Sequence, residues 1–380
     1  MAKKILTVSD LVTAGDNGSL REVFDTLIKS QLGFTPNQSI SSAFLGANIT
    51  GVPGGFKPNT NTNGFIFTTR PDLNLLTENI SVDRRMAPLL TSNERSMMRA
   101  IRILLSPRTA IRIDKWDAKL PQLIDSPLIN KRYPFLAISD NLTKSLTGWP
   151  SSRLGVHTSP EGIMKEVHIQ ADSPASYAGN FSLNLSGLSV DGNPLLYLYY
   201  YWILYMGLAM TNEYGVMPLP RYIGNGRMDY TCRHYRFIMD ETNTFFNEYA
   251  CTGYGFPQSI DIGQYMDYNV DEPRPYVGRN VEVEFACSGV MYMDELVLRQ
   301  FNTTVCIFQP YMGDKHRSKY FVKVPYAYRA FYNNQCYPRA NQVTRELEWW
   351  VPKDYWNKTE SMRNAFVENK NGYIPQLTRK

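Results

Sequence analysis

The 380-residue sequence predicts an α+β fold, mainly antiparallel β and sandwich- or barrel-like, with a helical N-terminal part and one central buried aromatic helix. Segments of the second half alternate polar and apolar residues with a period of two, as half-buried antiparallel strands do. A single stretch, Pro194–Met210, reads PLLYLYYYWILYMGLAM and lies within residues 192–212, which carry no charged side chain. Abundant turn formers, with 25 Gly and 23 Pro, favour many short elements joined by loops.

The aromatic stretch predicts a buried helix over residues 195–210. At helical spacing Tyr197, Tyr201 and Tyr205 form one stripe, and Trp202 belongs to the next. A helix that is apolar on every side must be covered on every side, by lipid, by a core or by neighbouring subunits. Tyrosine prefers the membrane interface to the bilayer centre, yet three consecutive tyrosines lie in the middle of this segment. We therefore expect a packing helix and no membrane insertion.

The N-terminal region predicts a helix followed by an arm. Ser19 and Glu22 form a capping box ahead of apolar residues at helical spacing, and the helix should end near Gly33. Residues 34–63 are rich in Gly, Pro, Asn, Ser and Thr and predict an extended loop or arm. An arm that reaches a neighbouring copy and ordinary surface disorder are equal alternatives here.

The rest of the chain predicts a helix-rich part and a β-rich part. Gly64–Leu75 reads as a strand that Arg70-Pro71 ends, and residues 83–112 read as helical until Ser106-Pro107. Further strands are predicted at 165–171, 180–190, 228–240, 245–257, 280–293, 303–312 and 318–332, and a short helix at 354–368. The predicted divisions are 1–33, 34–63, 64–145, 146–345 around helix 195–210, and 346–380 with its tryptophans and tail.

Charge and cysteine content indicate the setting of the protein. The net charge is +5, and no run of five basic residues occurs, which favours a mildly basic solvated surface over a nucleic-acid-binding face. Arg95, Arg99 and Arg102 line the polar side of the predicted helix at 83–112, and a solvated face is favoured there over a partner-facing stripe. The five cysteines lack a CxxC pair, and the N-terminal apolar run is too short for a signal peptide, so we expect reduced, buried thiols in a protein made in a cytoplasm.

No motif for nucleophilic, phosphate-binding or zinc-protease chemistry occurs in the sequence. The four histidines are far apart, and His168 and His234 lie in strand-like segments, which favours a structural role for both. A zinc site from Cys232, His234 and Cys251 is conceivable across a hairpin but lacks the short paired spacing of zinc ligands. We therefore predict that the protein is not an enzyme and has no catalytic, cofactor-binding or metal-binding residues.

Two acidic clusters of the sequence predict turns. Asp267, Asn269 and Asp271 resemble the start of a calcium loop, but the glycine and glutamate that complete such a loop are missing, which favours a polar turn. Asp294 and Glu295, between two predicted strands, read as turn carboxylates. Neither cluster changes the prediction that the chain binds no metal.

Several segments in a fixed order carry a family resemblance. They are GFIFTTRPDLNL, the aromatic helix with Trp202 and Tyr205, DYTCRHYRFIMD, GYGFP, and VEVEFACSGVMYMDELVLRQFN. Together, over about residues 64–302, they resemble virion structural proteins of large tailed bacteriophages. The resemblance implies a place in the tail, neck or baseplate rather than in the capsid shell.

The predicted function follows from this resemblance and from the lack of catalytic motifs. We expect a non-enzymatic component of the virion that self-assembles into a ring or tube-like layer, with copies of itself and other virion proteins as partners. One alternative is a carbohydrate-binding receptor-recognition component in which exposed tryptophans stack on sugars; the candidates are Trp149, Trp349, Trp350 and Trp356. A second alternative is a connector or capsid-associated protein that contacts DNA without reading its sequence, through Arg95, Arg99 and Arg102.

Overall fold

A computed structural model describes most of the chain beyond residue 62. The described residues are 63–111, 124–152, 154–173, 179–211, 215–224, 228–240, 243–266, 280–332, 336–364 and 366. They belong to the second of two compact units, Met1–Asn61 and Thr62–Lys380. The predicted N-terminal helix, the arm apart from Asn63, the acidic turn at 267–271 and the C-terminal tail lie outside the described residues.

The strands of the described residues are all antiparallel. Their bounds are β1 Gly64–Thr68, β2 Thr143–Thr147, β3 Gly155–Thr158, β4 Ile169–Ser173, β5 Asn180–Leu188, β6 His234–Met239, β7 Phe246–Ile260, β8 Asn280–Tyr292, β9 Phe321–Lys323, β10 Tyr337–Ala340 and β11 Leu347–Pro352. A curled six-stranded sheet has the order β1–β6–β7–β8–β5–β2, a three-stranded sheet has the order β10–β11–β9, and β3 pairs with β4. This confirms the predicted α+β class with antiparallel sheets.

Helices cover and connect these sheets. Their bounds are α1 Thr77–Ile80, α2 Met97–Leu105, α3 Ala137–Leu142, α4 Pro194–Thr211, α5 Pro220–Gly224, α6 Gly263–Met266, α7 Glu295–Phe308, α8 Arg317–Tyr320, α9 Arg329–Tyr332 and α10 Lys353–Lys358. Short 3-10 helices span Arg84–Leu90, Pro107–Thr109, Pro310–Met312 and Tyr326–Tyr328. The predicted helix at 83–112 is thus interrupted between residues 91 and 96, and α2 ends before Ser106-Pro107 as expected.

The aromatic helix α4 lies at the centre of the first hydrophobic core. Trp202 and Tyr199 are fully buried and stacked at 6.0 Å, and Tyr199 meets Phe285 of β8 edge-on at 5.5 Å. The buried helix predicted at 195–210 is confirmed, but it is not covered on every side, because Tyr197 is 38% and Met210 59% exposed. Within the described part of the chain, no helix combines the length and hydropathy that a membrane span requires.

A second core is built around α7. Phe301 of this helix contacts four aromatic rings from β1, β6 and the segment before α3, at centroid distances of 5.0 to 5.3 Å. These rings belong to Phe67, Phe135, Tyr235 and Phe237. Offset and edge-on contacts of this kind add to the stabilisation from buried area alone.

The two cores share the long strands β7 and β8, and a glycine pair lies between them. Thr252 pairs with Val290 and Tyr254 with Ser288, so Gly253 lies opposite Gly289. Gly289 has φ +68°, and a Cβ on Gly253 would lie 2.7 Å from the Ser288 carbonyl oxygen. On one side of this pair the strands supply residues to the α7 core, and on the other side to the α4 core. A Cβ at Gly253 would be too close to the neighbouring strand, and the positive φ of Gly289 is a conformation that favours glycine.

Two predicted strands were wrong. The predicted strand 303–312 lies mostly in α7, because Val297, Phe301 and Val305 repeat at the helical spacing of four residues and outweigh the β-branched residues between them. Asp294 is therefore not a turn residue but the N-cap of α7, and it accepts a hydrogen bond from the Leu296 N–H at 2.8 Å. Of the predicted strand 318–332, only Phe321–Lys323 is a strand, and short helices follow it.

The burial of α4 gives the first testable expectation. Trp202→Ala should lower the free energy of unfolding by about 3–5 kcal/mol, because the indole is fully buried and its Nε1 donates to the Tyr230 carbonyl oxygen. Tyr197→Ala, on the exposed side of the same helix, should cost about 1 kcal/mol or less. Urea unfolding of both variants measures the difference, and equal losses would contradict the description of the core.

Candidate assembly surfaces

The proposed zinc ligands do not meet as a site. Cys232 Sγ lies 3.7 Å from His234 Nε2, but Cys251 belongs to the α7 core, where its thiol donates to the Thr252 carbonyl oxygen. Among the described residues, no group of three or more His, Cys, Asp or Glu side chains is arranged to hold a metal ion. Burial raises the pKa of the Cys251 thiol to about 12, which keeps it protonated and unreactive.

His234 is a structural histidine, as predicted. Its ring is fully buried, its Nδ1 lies 3.2 Å from Thr68 Oγ1, and it meets Phe285 edge-on at 4.4 Å. Burial lowers the pKa of His234 to about 3, so the ring is neutral in the folded protein at physiological pH. His168, in contrast, is exposed.

A buried ionic cluster that the sequence did not indicate surrounds Asp72. Its Oδ2 accepts from Arg108 Nε at 2.6 Å, from Arg221 Nη2 at 2.8 Å and from the Tyr222 hydroxyl at 2.8 Å. Arg108 is only 4% exposed. The cluster joins the segment after β1 to α5 and to the 3-10 helix Pro107–Thr109. The two guanidinium groups supply the partners that a desolvated carboxylate needs. The three donors all bind the Asp72 carboxylate, which is typical of a structural ion cluster.

The predicted basic stripe of Arg95, Arg99 and Arg102 is not a solvated face. Arg102 is buried and donates twice to the Leu75 carbonyl oxygen, at 3.0 and 2.8 Å, and burial lowers its pKa to about 10. The Arg99 guanidinium donates to the carbonyl oxygens of Asp125 and Ser92. Of the three arginines, Arg95 is exposed. The arginines offered for DNA contact therefore do not form one accessible row.

The tryptophans offered for sugar stacking are half-buried, not exposed. Trp356 lies between the Tyr332 ring, stacked at 5.2 Å, and the Arg363 guanidinium, 3.7 Å from the ring centroid. Arg317 lies 4.8 Å from the centroid of Trp350, whose Nε1 donates to Glu348. Trp349 and Trp149 contact Phe65 and Tyr292, respectively. These intramolecular contacts occupy ring surface that a sugar would need.

Within the described part of the chain, the outer edge of β1 is open over part of its length. Met239 N–H donates to Asn63 O, and Thr69 N–H donates to Arg233 O, so the odd-numbered residues of β1 pair with β6 and the even-numbered ones face outward. Thr68 N–H donates to Asp140 Oδ1, and Thr68 O accepts from Leu136 N–H, so α3 and its first turn cover that end. No described residue pairs with the outward N–H and C=O groups of Gly64 and Ile66.

A groove of about 1620 Å³ runs beside this open edge. Apolar side chains from β1, α2, α3 and the segment before α3 line it, among them Ile66, Ile101, Leu128 and Ile138. Asp140 also lines the groove, and its Oδ2 has no hydrogen-bond partner among the described residues. The volume exceeds that of an ordinary small-molecule pocket, which suits a polypeptide segment.

Comparison with known proteins places the chain in a family. The family described as "Putative phage tail tube protein" matches residues 17–367, and the chain belongs to this family. It is therefore a structural protein of the phage tail, which confirms the resemblance to virion proteins and narrows it to the tail tube. Among curated proteins, no sequence matches the chain.

Two solved structures share a weak likeness with the chain. The anti-feeding prophage cap, the AFP tube terminating cap, is 9% identical over 40% of this chain and 79% of the cap, with a TM-score of 0.25. The sheath/tube terminator of an extracellular contractile injection system, PVC, in its extended state is 8% identical over 40% of this chain and 85% of that chain, with a TM-score of 0.22. These TM-scores do not establish a shared overall fold.

The neutral His234 makes stability depend on pH. Between its usual pKa of about 6.5 and its folded pKa of about 3, the unfolded chain binds a proton that the folded chain does not, so stability falls as the pH is lowered. Relative to His234→Gln, the wild type should lose about 2 kcal/mol between pH 7 and pH 5. Urea unfolding at both pH values measures this, with His168→Gln at an exposed position as control. A constant difference between wild type and His234→Gln would contradict the buried neutral ring.

Proposed function

We propose that the protein self-assembles head-to-tail into rings that build a tube-like layer of the phage tail. The observation that carries the proposal is the open edge of β1 beside an apolar groove. An unpaired strand edge invites pairing with another chain, and apolar groove walls favour a partner that brings apolar side chains. When the two sides of such a contact are different surfaces, each copy can bind the next one. The series of copies forms a ring when the rotation from copy to copy closes. Membership of the tail tube family supports this role.

The proposed role is mechanical rather than enzymatic. Three buried titratable groups have structural partners: His234 contacts Thr68, Asp72 holds two arginines, and Asp229 accepts from the Tyr205 hydroxyl at 2.6 Å. Groups committed to packing in this way give the folded protomer one rigid arrangement. A rigid protomer suits a tube wall, whose geometry depends on every contact being the same.

Other virion proteins are the remaining proposed partners, within a particle assembled in the host cytoplasm. A net charge of +5 is compatible with non-specific proximity to DNA through phosphate contacts alone. Such proximity requires no row of exposed basic residues. It is therefore compatible with an exposed Arg95 beside Arg99 and Arg102, whose guanidinium groups donate to backbone carbonyl oxygens.

Assembly is directly measurable. The purified full chain at increasing concentration should form ring-shaped particles and short tubes, visible by negative-stain electron microscopy and counted by mass photometry. Assembly should persist at high salt, because burial of apolar area is not screened. Tail preparations analysed by mass spectrometry should contain the chain in many copies. A chain that stays monomeric at the highest attainable concentration, and is missing from tails, would refute the proposal.

A further inference from the structure

A hairpin formed by β3 and β4 exposes apolar side chains that no core covers. The strands pair Val156 with Ala171 and Thr158 with Ile169, which places these residues on one face. Val156 is 57% and Ile169 70% exposed, so the expectation of a half-buried strand over 165–171 is wrong. An isolated two-stranded hairpin has marginal stability, and an uncovered apolar face adds nothing to it.

The turn of this hairpin carries the most exposed apolar residues. Lys165 N–H donates to Gly162 O at 3.0 Å, and Gly162 N–H donates to Glu166 O, which closes a tight turn around Ile163 and Met164. Their exposures are 103% and 88%. Turns of this kind usually carry Gly, Pro, Asn, Asp or Ser at their centre. Two large apolar side chains at the tip indicate an interaction surface.

We propose that the hairpin tip of one copy, Ile163 and Met164, inserts into the β1 groove of a second copy. This inference rests on the proposed self-assembly and identifies its contact. The occupant is a second copy because the family is one of tail tube proteins and because the described part of this chain supplies both an exposed apolar tip and a groove with apolar walls. The tip and the groove are different surfaces, as head-to-tail assembly requires.

Chemical complementarity supports this pairing. Ile163 and Met164 match the apolar walls formed by Ile66, Leu128 and Ile138, and Leu128 is 55% exposed before any partner arrives. Methionine adapts its shape to an irregular groove more readily than branched side chains do.

The polar groups of the two surfaces also match. The outward N–H and C=O groups of Gly64 and Ile66 offer main-chain hydrogen bonds to the incoming hairpin.

Charging the tip tests the inference. The double variant Ile163→Asp/Met164→Asp should need at least about tenfold more protein to assemble, because the contact would bury carboxylates that have no partner. Its melting temperature as a protomer should match the wild type, because both side chains are exposed. Val343→Asp, at a residue that is 91% exposed outside the hairpin, is the matched control and should assemble normally. If the wild type assembles and the double variant assembles equally well, the inference is wrong while the proposed function stands; a wild type that never assembles refutes the proposed function.

Crosslinking identifies the groove as the receiving surface. In a Cys306→Ala background, which removes the half-buried cysteine, chains with Ile163→Cys are mixed with chains carrying Leu128→Cys and treated with a short bis-maleimide. A covalent mixed dimer should form when the reagent is added to the assembled sample, and should not form when the sample is diluted until it disassembles before the reagent is added. Val343→Cys with Leu128→Cys is the control pair. Crosslinking no stronger than this control would overturn the assignment of the groove, even if the tip variant fails to assemble.

Discussion

The packing of the protomer depends on a single constraint: the antiparallel strands β7 and β8 must serve two hydrophobic cores at once. Both strands are long, at 15 and 13 residues, and neither core extends along their whole length. At the Gly253–Gly289 pair, the missing Cβ atoms and the positive φ of Gly289 let the ladder bend without breaking register. A side chain at Gly253 would force the Ser288 carbonyl of the facing strand to shift, at the point between the two cores.

The remaining architecture follows from this division. The α4 core uses the C-terminal half of β7 and the N-terminal half of β8, together with β5. The α7 core uses the N-terminal half of β7 and the C-terminal end of β8, together with β1 and β6. His234 and Thr68 are buried at 0% exposure with their polar atoms turned toward each other. A neutral imidazole next to a hydroxyl tolerates such burial better than a charged ring would, since a charged ring would have to lose its hydration.

The sequence predicts the elements whose patterns are long and local. Helix α4 and strands β5, β7 and β8 were found because their periodicity extends over nine residues or more. Helix α7 is not predicted in full because Thr303–Val305 is a run of β-branched residues, which is typical of a strand. The groove could not be found from the sequence, because it depends on the pairing of β1 with β6, about 170 positions away. The hairpin tip left a signal that periodicity does not detect: Ile163 and Met164 directly follow Gly162 in a segment of turn formers.

The small size of the hairpin tip has a consequence for how a tube begins. Burying two side chains contributes about 1.5–3 kcal/mol each, whereas bringing two proteins together costs at least about 4 kcal/mol. One such contact barely holds a pair of protomers. In a closed ring every protomer makes two contacts, and the last one to form is intramolecular. Growth would then be nucleated: free protomers coexist without aggregating until a complete ring, or a template that resembles one, is present.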